Sequence, residues 1–105
     1  MSPADPKGRA SLLSASMALP QHVAQRAFAT ETVILNLRTG MYHGLNPTGA
    51  RMLDAMERSP TIGDAAADLA VEYGIGQHEI EDDLCDFCSQ LLERGLLELN
   101  DGGRG

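Results

Sequence analysis

The run Thr32-Val33-Ile34-Leu35-Asn36-Leu37-Arg38-Thr39-Gly40-Met41-Tyr42-His43-Gly44-Leu45-Asn46-Pro47 limits this chain more than any other part of it. Val33, Leu35 and Leu37 alternate with Ile34, Asn36 and Arg38, the pattern of a strand with one face more buried than the other. Thr39-Gly40 supplies turn chemistry, and Met41 to Leu45 forms a second short strand. Asn46-Pro47 then ends the sheet. Proline's fixed φ suits the first turn of a helix, and the Asn46 side chain can accept from amides that have no partner there. A hairpin therefore feeds directly into a helix.

Around this core of the pattern, an imperfectly alternating segment from His22 to Phe28 reads as a preceding strand. Thr32 to Leu37 and Met41 to Leu45 complete a three-stranded antiparallel meander. A two-residue turn sets Leu37 opposite Tyr42 and Leu35 opposite Gly44, the register that groups the apolar residues best. Helical spacing then places a first helix over Pro47 to Arg58, burying Met52, Leu53 and Met56 with Ala50 close by. Ser59-Pro60 ends it. Thr61 caps a second helix over Ile62 to Tyr73 that buries Ile62, Ala66, Leu69 and Ala70, and Gly74 stops it. A third, Gln77 to Arg94, lines up Ile80, Leu84, Phe87, Cys88, Leu91 and Leu92 on one face and ends at Gly95. Leu96 to Leu99 forms a final strand or extended wing. The expected class is α+β, a three-stranded antiparallel sheet followed by three helices in a winged helix-turn-helix arrangement. Residues 18–99 make the domain, with flexible tails at 1–17 and 100–105 that contribute little to the core.

At 105 residues the chain suits one domain, and with 4% aromatic residues and no Trp its interior must be aliphatic. The net charge of −7 is uneven: Lys7, Arg9 and Arg26 make the first thirty residues mildly basic, and most acids follow Glu57. Such a body lacks the Lys and Arg needed to displace counterions from a phosphate backbone, so nucleic acid is a poor partner. No apolar run is long enough to span a bilayer or resembles a secretory signal, so a soluble cytoplasmic protein without membrane contact is expected.

The candidate chemistry is sparse. Cys85 and Cys88 have the spacing of a metal or redox pair, but zinc needs four ligands and no second pair exists; on a helix they read as small, buried or half-buried residues. His22, His43 and His78 do not share a metal spacing. Glu79, Glu81, Asp82, Asp83 and Asp86 crowd the start of the third helix, where carboxylates favour the positive end of the helix dipole. Consecutive helix positions diverge, so they do not converge on a metal. No nucleophile triad, phosphate-binding glycine loop or dinucleotide fingerprint appears. The expectation is no catalytic residue, no metal and no cofactor.

The third strand of such a meander lies at the sheet edge, and Met41 to Leu45 carries neither charge nor proline to blunt it. An extended peptide is the natural ligand for that edge. The order of strand, Arg38-Thr39-Gly40, Tyr42, Gly44-Leu45-Asn46-Pro47-Thr48-Gly49-Ala50, Pro60-Thr61 and Leu91-Leu92-Glu93-Arg94-Gly95-Leu96-Leu97 resembles the PqqD-like family. These are small domains that recognise leader peptides of ribosomally made, post-translationally modified peptides. The pattern covers roughly Leu19 to Leu99 and is most similar to the leader-binding subunits of split lasso-peptide proteases. The resemblance implies a non-catalytic adaptor that takes up the precursor leader as an added antiparallel strand. Met41, Tyr42, His43, Gly44 and Leu45 would form the strand wall of the groove; helical phase puts Asp83, Asp86, Phe87 and Gln90 on the helix wall. It also implies a leader-removing cysteine protease as partner, with a cyclase acting on the core peptide. The competing readings are a peptide chaperone for a radical-SAM enzyme, a winged-helix DNA-binding regulator, which calls for a basic third helix, and a metal or redox protein using the two cysteines.

Overall fold

The computed structural model describes residues 12–100. Its elements run β1 (Ser16–Ala18), β2 (Val23–Ala27), β3 (Thr32–Asn36), β4 (Tyr42–Leu45), α1 (Pro47–Arg58), α2 (Ile62–Tyr73), α3 (Gln77–Glu93) and β5 (Glu98–Asn100). Strands β2, β3 and β4 form an antiparallel sheet in that order, and β1 pairs with β5 in a separate two-stranded ribbon.

Each helix starts and stops where local chemistry demands. The Asn46 side chain accepts from the Gly49 amide at 2.7 Å and Pro47 occupies the first turn of α1. Thr61 accepts from the Asp64 amide at 3.1 Å to open α2, and Gly74, with φ of 68°, closes it in a left-handed conformation that other residues adopt at a cost. After α3, the Leu96 amide reaches back to the Leu91 carbonyl at 2.9 Å, while Gly95 takes φ of 71°. This closure turns Leu96 and Leu97 into the interior, where both are buried.

The core lies between the sheet and the helices. Ile34 is the sheet's fully buried contribution, with Val23 and Leu45 beside it on the same face. Leu53 and Met56 of α1, Ile62, Ala65, Ala66 and Leu69 of α2, and Leu84, Cys88 and Leu91 of α3 meet it. The stripes expected of α2 and α3 are buried, except that Phe87 and Leu92 are only partly so.

The hairpin register differs from the expected one. Leu35 stands opposite Tyr42 and Val33 opposite Gly44, two residues away from the pairing of Leu37 with Tyr42. Asn36 causes the shift: its Oδ1 accepts from the amides of Arg38 at 2.9 Å and Thr39 at 3.3 Å, and its carbonyl accepts from Gly40. The chain thus leaves the ladder at Asn36, and residues 37–40 make a four-residue loop closed by Gly40 at φ of 79°. A two-residue slip preserves the face of every side chain, so the sheet keeps its amphipathic sense, but Leu37 is left in the loop and exposed.

The beginning of the chain also departs from expectation. Residues 12–17 belong to the expected tail, yet Ala15 and Met17 are buried. Met17 pairs with Leu99 across the β1–β5 ribbon, and the Ile62 amide donates to the Ala15 carbonyl at 2.9 Å, pinning this segment to the start of α2. The segment's short length hides any period, and only its partner β5, some eighty residues on, reveals it as a strand. The remainder of both expected tails, 1–11 and 101–105, lies outside the described residues.

Candidate functional site

In the sheet order β2-β3-β4, β4 is an edge. The direction of its backbone groups follows from one bond: the Asn36 amide donates to the Met41 carbonyl at 2.8 Å. In an antiparallel ladder, residues alternate between facing the partner strand and facing away. The Met41 carbonyl, His43 and Leu45 therefore bond toward β3, and the amides and carbonyls of Tyr42 and Gly44 point out of the sheet. These two residues offer two donors and two acceptors to an added strand.

Side chains alternate across the sheet in the other sense. His43 and Leu45 share the helix-facing side with Ile34 and Val23, and Tyr42 and Gly44 share the outer side with Leu35 and Val33. Leu45 is buried in the core, His43 is half-buried, and Tyr42 is 70% exposed. Tyr42 thus borders an outer hollow of about 360 Å³ lined also by Phe28, Val33 and Leu35, with Arg26 and Glu31 at its margin. A strand added at β4 would lay alternate side chains toward this apolar outer surface and toward the helices.

On the helix side a second hollow, of about 280 Å³, lies where the start of β4 meets the end of α3. Asn36, Thr39, Met41, Tyr42, His43, Arg94 and Leu96 line it. The opposite end of the same side is set by Phe87, which approaches the start of α1 so closely that a Cβ on Gly49 would lie 3.4 Å from its ring and 3.6 Å from the Leu45 Cβ. Thus α3 runs antiparallel to β4, Phe87 near Leu45 and Arg94 near Met41.

Of the residues expected to form the helix wall, Phe87 is half-buried at this junction, and Asp83, Asp86 and Gln90 are exposed and line neither hollow. Of the strand-wall residues, Met41, Tyr42 and His43 border the helix-side hollow. Arg94, Asn36, Thr39 and Leu96 were not anticipated. Arg94 was legible in principle, since Asp83, Phe87, Gln90 and Arg94 follow helical spacing and fall on one face; the others depend on the loop conformation that Asn36 imposes.

The two cysteines are apart from this surface in chemistry. Cys88 is fully buried, with Sγ 3.3 Å from the Met56 sulfur, and no group of three His, Cys, Asp or Glu side chains able to hold a metal occurs among the described residues. Burial, and secondarily the neighbouring Cys85, pushes the Cys88 thiol up to about 12. Its unfolded counterpart ionises near pH 9. Below pH 9 the thiol is protonated in both states and leaves stability unaffected. Above it the unfolded chain releases the proton first, so this thiol's contribution to stability falls as pH rises from 9 toward 12. Denaturation midpoints from pH 8 to 11 should therefore drop less steeply in Cys88→Ala than in the wild type; parallel profiles would contradict this assignment.

Across the helical layer, Arg51 bonds Glu72 and Asp54, and Arg58 bonds Asp54 at 3.2 Å. The Glu72 hydrogen bond holds the Arg51 guanidinium protonated beyond its usual range and Glu72 below the carboxylate range. The Arg51–Glu72 pair ties α1 to α2, the other two lie within α1, and all three are exposed enough to be screened by salt. Among the described residues no helix is long and apolar enough to cross a membrane.

A family model described as coenzyme PQQ synthesis protein D (PqqD) matches residues 31–97. No curated protein sequence matches the chain. Two solved structures do. TbiB1 in complex with the TbiA(beta) leader peptide is 30% identical, with a TM-score of 0.67, over 76% of this chain and 93% of that one. A lasso peptide synthetase B1 complexed with its leader peptide is 26% identical, with a TM-score of 0.71, over 79% and 98% of the two chains.

Proposed function

The chain belongs to the PqqD family, and from that premise we propose that it is a leader-peptide-binding adaptor of lasso-peptide biosynthesis. The observation that carries this reading is the free β4 edge: Tyr42 and Gly44 direct unpaired backbone groups outward, with an apolar hollow on one side of the sheet and a mixed one on the other. That both similar structures are complexes with a leader peptide supports it. The precursor leader adds to the sheet as an antiparallel strand beside β4, and each backbone bond contributes about 1 kcal/mol net.

In this reading the protein is cytoplasmic and non-catalytic. It holds the leader for a separate cysteine protease that removes it, before a cyclase closes the core peptide. The arrangement of sheet and helices is of winged-helix type, but α3 carries Glu79, Glu81, Asp82, Asp83 and Asp86, which opposes use of that helix on DNA. A role as chaperone for a radical-SAM enzyme would use the same edge and differ only in the enzyme served.

Calorimetric titration of the synthetic precursor leader into the full chain tests the reading. Saturable one-to-one binding is expected, with none for a scrambled leader of the same composition. Equal heats for both peptides would overturn it.

A further inference from the structure

The helix-side hollow at the Met41 end of β4 is unusual in its hydrogen-bonding sense. The Asn36 Oδ1 already accepts from the Arg38 and Thr39 amides, which leaves the Asn36 NH₂ as that side chain's free group. Thr39 Oγ1 accepts from the Met41 amide at 3.1 Å, which leaves its O–H to donate. His43 contributes a ring N–H, and Arg94 a guanidinium that can only donate. Arg94 makes no ion pair among the described residues, whereas Arg51 and Arg58 are engaged with Asp54 and Glu72. The carbonyls of Leu91 and Leu92 at the end of α3 already accept from the amides of Arg94, Gly95 and Leu96. Glu93, next in sequence, lies about 100° round the helix from Arg94. The polar lining is thus rich in donors, with the Asn36 Oδ1 and Thr39 Oγ1 acceptors already engaged, beside the apolar Met41 and Leu96 and the rim residue Tyr42.

The geometry points to a carboxylate subsite here: Arg94, supported by His43, Thr39 and Asn36, receives an Asp or Glu side chain of the peptide strand added to β4. The inference rests on the peptide-binding reading above and deepens it by fixing a charge and a direction. A strand antiparallel to β4 runs the same way as α3, from the Phe87 end to the Arg94 end. Met41 to Leu45 spans roughly 13 Å and Phe87 to Arg94 roughly 10 Å, so four or five ligand residues cover the distance. The face Asp83, Phe87, Gln90, Arg94 changes from acidic to basic in that direction. The preferred ligand therefore carries its acid on the C-terminal side of an apolar residue seated near Phe87. A misdirected strand would bring its acid toward Asp83 and be repelled.

Selection from a displayed library of random dodecapeptides tests this, with the full chain as bait in four forms: wild type, Arg94→Glu, Arg94→Gln and Gly44→Pro. Arg94 is exposed, so its variants should fold, and circular dichroism verifies it. Wild type should enrich peptides with Asp or Glu at one position C-terminal to an apolar anchor. Arg94→Glu should replace that acid with Lys or Arg, and Arg94→Gln should abolish the preference. In a synthetic wild-type hit, Asp→Asn at that position should weaken binding about tenfold at low salt and less at high salt. Enriched peptides without a positioned acid, or the same acid with Arg94→Glu, would overturn the subsite and leave peptide binding intact. A position preference lost equally in inorganic phosphate and chloride of matched ionic strength supports a screened charge pair; loss in phosphate alone would mean a free-anion site and overturn the proposal. Enrichment unaffected by Gly44→Pro would instead overturn strand addition itself, and the subsite with it.

Discussion

Gly44→Pro should weaken leader binding by about 10- to 100-fold while leaving the fold intact, because proline removes an amide that points away from β3. The leader carbonyl facing it would lose its donor while still being desolvated, and an unsatisfied buried acceptor costs about 1–3 kcal/mol. The position tolerates the change: a Cβ on Gly44 meets only the carboxylate end of Glu31, at 3.3 Å, and a flexible side chain can move. His43→Pro is the informative contrast. Its amide belongs to the β3 ladder, so that substitution should lower stability as well as affinity. Titrating the leader against each variant, with melting curves measured alongside, separates the two. Tyr42→Pro should repeat the Gly44 result independently. If both edge variants bind like the wild type, the leader does not add to β4.

Ile34→Ala should destabilise the protein by about 2–4 kcal/mol, against less than about 0.5 kcal/mol for Leu37→Ala. Ile34 is fully buried and is the sheet residue that closes the core over α1 and α3, so truncation leaves a cavity that neighbours on several elements cannot collapse together to fill. Leu37 is 57% exposed in the hairpin loop. In urea melts the Ile34 variant should show a much lower midpoint with an unchanged slope, and the Leu37 variant should superimpose on the wild type. The pair also reports on register. A hairpin with Leu37 opposite Tyr42 would bring Leu37 into the strand, and its truncation would then be felt.

The helices illustrate how far local signals reach. Asn46-Pro47, Ser59-Pro60, Thr61, Gly74 and Gly95 act through bonds and φ values within a few residues of themselves, so the bounds of α1 and α2 coincide with those read from the chain, and α3 ends within a residue. Periodicity identified most of their buried faces for the same reason. The hairpin was harder. Thr39-Gly40 is a plausible two-residue turn, but the Asn36 side chain competes for the Arg38 and Thr39 amides, and sequence gives no weight to either option. A final strand near Leu99 was legible, but β1 and its pairing with β5 were not, since strands of three residues carry no period and gain stability only from each other.

At the candidate site, the sequence by itself determined that β4 would be an edge without charge or proline, that its neighbours would be apolar, and that the third helix would be acidic where it begins. These follow from residue type and short-range order. The tertiary structure alone decided where the hairpin leaves the ladder and which residues form the loop beside that edge, because this depends on the Asn36 side chain capturing the Arg38 and Thr39 amides. It alone also decided that Arg94 meets Asn36, Thr39 and His43, because groups some fifty residues apart become neighbours only when α3 folds back antiparallel to β4 and its buried stripe settles on the sheet.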